Sequence, residues 1–438
     1  MGLSASAQLV WAIKQMKRLK AASSTPGLLL SLRGWVYAAA VALAVSGCPK
    51  RDTVEPTVDI DSPPETWVRV LLFGNLSEYA VSTPAGFTVE ALAGGVTADF
   101  SETGSVHIRL QDGRIYVGRH RIGPAVVLRP KEPYYFELEE MGFRGHLYLH
   151  VNAGNDGIQA VNHVPLESYL LGVVGAEMYS YWEPEALKAQ AVAARTYSLA
   201  IGHRFGRGRH WDMTRTQANQ VYKGLEAENS RIRQAVLDTA GQLLIAPGRD
   251  GREVIFPTYY SSSCGGHTEN SRRVFGPDWV NLPGVRCSWC EQTARRGDFY
   301  WGPQAYSMAE VSQRLMRRYA SLEPLERISA VDVRQTGYEQ RITQVGLTGV
   351  NGRQDHVRGE DFRLTLDPTG RRLRSTLVEL SQTNETVRFT DGRGFGHGVG
   401  LCQYGAQGLA RDGRTWAEVL AFYYPEARLV RIETVMVE

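Results

Sequence analysis

Glu177 sits in the run Gly172-Val173-Val174-Gly175-Ala176-Glu177-Met178, an ionisable group among small and apolar neighbours where a helical pattern ends. Such a Glu either ends a helix at the surface or is buried, and burial raises a carboxyl pKa. A Glu that keeps its proton near neutrality can give it to a leaving oxygen and take one back, as cleavage of a glycosidic bond requires. A second constellation is Cys264-x2-His267, followed nineteen residues later by Cys287-x2-Cys290. Three thiolates and an imidazole are a ligand set for tetrahedral Zn2+, and four protein ligands make such a site closed and structural. A disulfide is the competing use of the cysteines in an oxidising compartment.

Gly392, Gly394, Gly396, Gly398 and Gly400 alternate around His397. That leaves one face without side chains, open to a ligand or another backbone. No Gly-Lys-Ser/Thr follows, so the block is not a phosphate loop. With Gln403 and Tyr404 just beyond, it reads as the wall of a cleft where amide, imidazole and phenol groups meet sugar hydroxyls. Cys402, five residues from His397, has the thiol of a nucleophile. Lys188 and Arg195 are seven residues apart on an alanine-rich helix, so both project from one side. Two such cations want an anionic partner, either neighbouring carboxylates or a substrate.

The elements that must hold these groups are legible from periodicity. Residues 67–164 alternate with period two, with Val106, Ile108 and Leu110 facing Ile115 and Val117 across Asp112-Gly113. A second hairpin runs from Leu147, Leu149 and Val151 through Gly154-Asn155-Asp156-Gly157 to Ile158 and Ala160. From Pro165 the period becomes helical in Leu166, Tyr169, Leu170 and Val173, and a second helix is expected from Pro184 to about Arg204. Its Ala186, Ala189, Ala191, Ala193, Ala194 and Ala200 leave almost no polar side, which marks a buried helix. Further on, a helix is expected at 308–319, strands at 328–333, 342–347 and 376–380, and a last helix opening on a Thr415/Glu418 capping box. The fold class is therefore α+β, an antiparallel β-rich part followed by a mixed helix/strand core that forms a cleft.

With 49 Lys and Arg against 46 Asp and Glu in 438 residues, the net charge of +3 gives no basis for nucleic-acid binding. Five cations between Lys14 and Arg33 precede the apolar run Val36 to Val45 and then Ser46-Gly47-Cys48. This reads as an export signal with a lipobox, cleaved to leave lipidated Cys48, with a short uncleaved N-terminal anchor as the other reading. The proline-rich, acidic stretch after it is a tether. Pro49-Lys50 lacks the acidic residue that retains lipoproteins in an inner membrane, so the expected location is extracytoplasmic and lipid-anchored, at the outer membrane where one exists. The expected organisation is a signal at 1–48, a tether at 49–65, a β-rich part at 66–163 and a core at 164–438. Within the core lie a zinc segment at 261–290 and a glycine-rich segment at 391–413.

The stretch from Val164 to Met178, then Ala186 to Tyr197, Gln220-Val221-Tyr222-Lys223-Gly224, Ser261 to Asn270, and Gly394 to Gly405 with Tyr423-Tyr424-Pro425 resembles the SpoIID/LytB family signature, five blocks in the family's order. The resemblance implies a cell-wall protein acting on peptidoglycan glycan strands, with Glu177 as the catalytic residue of a lytic transglycosylase that cleaves strands stripped of their peptides. A single Glu suffices when the muramic C6 hydroxyl attacks the anomeric carbon, giving a 1,6-anhydro end; hydrolysis would require a second carboxylate such as Asp212 or Glu185. It further implies a substrate cleft of Lys188, Gln190, Arg195, Tyr222, Ser263, His397, Gln403 and Tyr404, and zinc near that cleft. The LytB side of the family implies the alternative, a glycan-binding protein that recruits or stimulates a cell-wall amidase. The family usually has Ser where Cys402 stands and uses that position for no chemistry, which makes the thiol an inert small side chain.

Overall fold

The computed structural model describes residues 67–432 apart from 96, 102, 103, 207, 249 and 250; the expected signal, tether and Cys48 lie outside the described residues. The chain is α+β, and its N-terminal part is antiparallel β structure. The alternation does what a half-buried strand requires. In β1 (Trp67–Leu76), Val68, Val70 and Leu72 point into the core. With β2 (Phe87–Ala91), β3 (Thr97–Phe100), β4 (Ala125–Pro130), β5 (His146–Val151), β6 (Ile158–Pro165) and β7 (Met213–Thr214) it forms a sheet in the order β7-β1-β6-β5-β4-β2-β3. Only the β1–β7 pair in it is parallel. A six-stranded sheet beside it contains the hairpin Gly104–Gln111/Arg114–Val117. Asp112 and Gly113 turn it with φ of 50° and 65°, the left-handed pair that a two-residue turn of type I′ needs.

β6 runs directly into α1 (Leu166–Glu177), and α2 (Pro184–Phe205) follows with Pro184 in its first turn. The alanine stripes of α2 divide between two cores. Ala186, Leu187, Ala191 and Ala194 pack with the sheet and α1, whereas Ala189, Val192 and Ala193 pack with Phe256, Leu401 and Leu420. A helix buried on opposite sides has no solvent face to make polar, which is why its pattern is apolar all round. α3 (Ser230–Asp238) lies across the side from which Lys188 and Arg195 project: Lys188 pairs with Asp238 at 3.0 Å, and Arg195 donates to the Gln242 carbonyl at 2.9 Å. A third core gathers around the helix Met308–Arg318, the strands Ile328–Thr336 and Ile342–Gly349, and α4 (Gly359–Leu366). α5 (Gln403–Arg411) and α6 (Trp416–Tyr423) close the chain, α6 with the expected Thr415/Glu418 box. The expected strand at 376–380 instead begins at Glu379. Among the described residues no helix is long and apolar enough to cross a membrane.

α1 and α2 are tied by Arg195, wholly buried, which donates from Nε and Nη2 to the two oxygens of Glu167 at 2.7 Å each. Removing one member would strand the other charge in the core. Glu167→Ala is expected to destabilise the fold by about 3–5 kcal/mol, read from urea unfolding, and Glu167→Ala paired with Arg195→Met should recover a large part of that loss.

Candidate functional site

Glu177 is the last residue of α1, and Met178 turns away in extended conformation. Gly172 and Gly175 let the helix lie against residues 222–227: a Cβ on Gly172 would come within 2.6 Å of the Tyr222 ring. That closeness brings the Val221 amide to Glu177 Oε1, 2.9 Å away. The other oxygen, Oε2, accepts from Gln403 Nε2 at 3.4 Å, and the same amide reaches Gln190 Oε1, also at 3.4 Å. Glu177 keeps part of its surface open, but atoms crowd round the carboxyl and its pKa is raised. Burial is the cause, and the Val221 and Gln403 donors only partly offset it. The helix C-terminus works in the same direction as burial, since no basic residue occupies the last turn of α1. Among the described residues no second carboxylate acts on Glu177. Asp212 is held by Arg69, and Glu185 by Lys188 and the Trp416 amide.

The groups expected to line a substrate cleft separate into two sets. Gln190, Gln403 and Tyr404 stand near Glu177, with Gln190 and Gln403 buried as holders of the carboxyl. Lys188 and Arg195 do share one side of α2, but carboxylates and α3 occupy it, so neither is free for a substrate. Tyr222 is buried under α1 and donates to Asn162 Oδ1 at 3.0 Å. Ser263 is fully buried, and its backbone pairs with that of Phe395. His397 borders a separate cavity; its Nδ1 accepts from the Val399 amide at 3.0 Å. Burial, helped by Arg363 and Arg341 against the pull of Glu360, lowers its pKa to about 4, so the ring is neutral.

The glycine block also differs from expectation. Gly394, Gly396, Gly398 and Gly400 have φ between 71° and 101°, so the alternation supplies left-handed backbone at every second residue. What approaches them belongs to the protein itself; a Cβ on Gly398 would meet the Arg341 guanidinium at 2.7 Å. The sequence reading missed an aromatic rim directly after Glu177. Tyr179 and Tyr181 are 52% and 66% exposed and stack at 5.4 Å. Trp182 packs on Tyr179 and edge-on to Tyr404 at 5.0 Å. Three aromatics within five residues of the candidate acid were the available signal.

The sulfur cluster is real, with a different membership. Cys264, Cys287, Cys290 and Cys402 are buried and unbridged, and their sulfurs lie within 4.8 Å of one another. His267 is outside: its ring stacks on Tyr338 at 4.0 Å and Nδ1 donates to the Thr268 carbonyl. Cys402, expected to be inert, takes its place. The 3.6 Å between Cys264 and Cys290 Sγ approaches the edge of about 3.8 Å that four sulfurs 2.3 Å from one ion would have. Amides of Cys264 and Gly405 donate to Cys402 Sγ at 3.2 and 3.4 Å, as a thiolate would require. The four cysteines can hold a metal ion.

With this geometry in view, the comparisons with known proteins are specific. The family model described as stage II sporulation protein, SpoIID, matches residues 154–245. Stage II sporulation protein D of Bacillus amyloliquefaciens is 32% identical over 279 residues, 60% of this chain and 74% of the relative. The chain belongs to the SpoIID family. The SpoIID segment holds α1, α2 and Glu177, and a second model, a domain of unknown function, matches residues 290–400. An uncharacterised protein of Brachyspira hyodysenteriae is 33% identical over 62% of this chain and 68% of its own length. The amidase enhancer of Bacillus subtilis is 27% identical over 59% of this chain and 40% of its own, which carries the LytB side of the resemblance.

Gln403 donates to the ionised carboxyl, so its loss should push the Glu177 pKa further up. Carbon-13 NMR titration of the Glu carboxyls in Gln403→Ala checks this; an unchanged or lowered value would mean that the amide does not act on the acid.

Proposed function

We propose that this chain acts outside the cytoplasm on peptidoglycan, as a lytic transglycosylase that cleaves peptide-denuded glycan strands with Glu177 as its one acid/base. The observation that carries the reading is a lone carboxyl, pushed toward its protonated form by burial and bordered by exposed stacked tyrosines. Inverting and retaining hydrolases ordinarily use two carboxylates. Here Glu177 protonates the glycosidic oxygen as that bond breaks, and the muramic C6 hydroxyl forms the new bond to the anomeric carbon. The carboxylate then takes the hydroxyl's proton, which restores the acid and leaves a 1,6-anhydro end. The Val221 and Gln403 amides hold the ionised form between the two transfers. Tyr179, Tyr181 and Tyr404 offer ring faces to sugar rings.

A relative named for sporulation and another named amidase enhancer support a role at the cell wall. The second name also favours the other reading, a glycan-binding protein that stimulates an amidase. Export and a lipid at Cys48 complete the proposal. Zinc is assigned to the four cysteines as a structural ion that ties the Cys264 loop and the 287–290 turn to the start of α5.

Wild type incubated with amidase-stripped sacculi is expected to release anhydro-muramic products detectable by mass spectrometry, and Glu177→Gln to release none. Absence of products from wild type would favour the amidase-stimulating reading. Turnover should fall as pH rises through the raised carboxyl pKa, because the acid form is consumed. The stability sign agrees: a folded pKa above the unfolded one gives a contribution that is complete below the unfolded value and lost as pH rises through the folded value. Glu177→Gln should therefore resist urea better than wild type in alkaline buffer.

For the metal, Cys402→Ser should lower the bound zinc measured by atomic absorption, whereas His267→Ala should leave it unchanged. Chelation should unfold the chain. A chelated protein that stays folded yet loses turnover would instead point to a zinc hydrolase.

A further inference from the structure

Apart from the rim beside Glu177, the fold forms a partly open cavity of about 200 Å³. One wall comes from the core: Tyr197 on α2, Gln217 and Asn219 before Val221, then Tyr259, Tyr260 and Phe275. Tyr259 and Phe275 stack at 4.3 Å, and Tyr197 meets Tyr259 edge-on at 5.9 Å, so this wall is an aromatic platform. The lining also includes Arg358, Glu360, Asp361 and Leu364, on and just before α4, inside the 290–400 segment that matches a domain of unknown function. Arg358 straps the two parts of the lining together. Its Nε donates to Asp361 Oδ2 at 2.6 Å and its Nη1 to the Phe275 carbonyl at 2.7 Å. Glu360 is held by Arg363, whose Nε donates to it at 2.9 Å.

We infer that this cavity is a subsite for one pyranose of a glycan chain, and that residues 358–364 of the second segment supply its polar recognition. The volume lies below the 300–1,000 Å³ of pockets that enclose drug-sized ligands, so it suits one ring and not a stretch of chain. Ring faces together with amide, guanidinium and carboxylate groups in one lining match a sugar, which has apolar C–H faces and an equatorial belt of hydroxyls. The position relative to the acid is favourable: Asn219 in the lining stands two residues before Val221, whose amide donates to Glu177 at 2.9 Å. A strand seated here would continue toward Glu177. The inference rests on the glycan reading of the site but does not need the reaction to be transglycosylation.

The test measures calorimetric binding of the N-acetylglucosamine tetramer to the full chain, with turnover on stripped sacculi assayed in parallel. Leu364→Trp fills the cavity and Arg358→Ala removes the strap, and thermal melts identify whichever variant is folded. Each folded variant is expected to bind the tetramer at least about tenfold more weakly than wild type, and Glu177→Gln to bind as wild type does. Wild-type affinity in folded Arg358→Ala or Leu364→Trp overturns the subsite, as does a wild type that does not bind the tetramer. Variant-sensitive binding without any turnover in wild type keeps the subsite and removes the transglycosylase. Turnover with variant-insensitive binding does the reverse.

Discussion

The Glu177 carboxyl is held between an amide 44 residues downstream and another 226 residues downstream, and the rest of the fold is arranged so that these can meet. α1 delivers the acid at its C-terminus; the 222–227 segment, lying in the notch left by Gly172 and Gly175, delivers Val221. Gln403 arrives as the first residue of α5, and its position follows from Cys402, which caps that helix by accepting the Gly405 amide. Cys402 is at the same time one of four clustered sulfurs. The cluster therefore fixes the start of α5, α5 fixes Gln403, and Gln403 fixes one oxygen of the acid. α5 is braced a second time by Gln407, which accepts from the Glu183 amide just before α2.

Buried guanidinium groups fasten the remaining joints. Arg195 binds α2 to α1 through Glu167; Arg341 lies beneath Gly398 and donates to the Cys264 carbonyl; Arg363 clamps Glu360 of the cavity lining. Each is desolvated and therefore tolerable only with well-placed acceptors. Such contacts specify one arrangement of remote segments more sharply than apolar packing does, because a displaced oily side chain finds another oily neighbour and a displaced buried charge does not.

What was legible in the sequence was local. Period two gave the strands, including the Asp112-Gly113 turn; period 3.6 and Pro165 and Pro184 gave α1 and α2 within a residue or two; Thr415 and Glu418 gave the last helix. Glu177 stood out because its neighbours along the chain are small and apolar. Partnerships across the fold were not legible. Two Cys-x2 motifs suggested His267, but the turn at Gly265 and Gly266 carries that imidazole past the sulfurs to Tyr338, and the fourth thiol comes from far along the chain. Lys188 and Arg195 were placed on the right side of α2, yet which element covers that side is a tertiary fact. The glycine block was recognised as a place of close approach, and only the fold shows that the approaching groups are the protein's own.

The choice of neutral groups around Glu177 has a chemical consequence. A Lys or Arg at position 403 would also reach the carboxyl, but its charge would stabilise the anion and drive off the proton that a general acid must keep. An amide N–H favours the anion far less, and an amide can turn its carbonyl toward a protonated carboxyl as well as its N–H toward an ionised one. Gln403, itself held by Gln190, thus suits both protonation states of a group that, in the proposed reaction, passes between them within one turnover. Burial and the helix terminus shift the balance toward the acid, and the two amides partly offset that shift. A surface carboxylate beside a cation could hold a glycan; it could not donate to one near neutral pH.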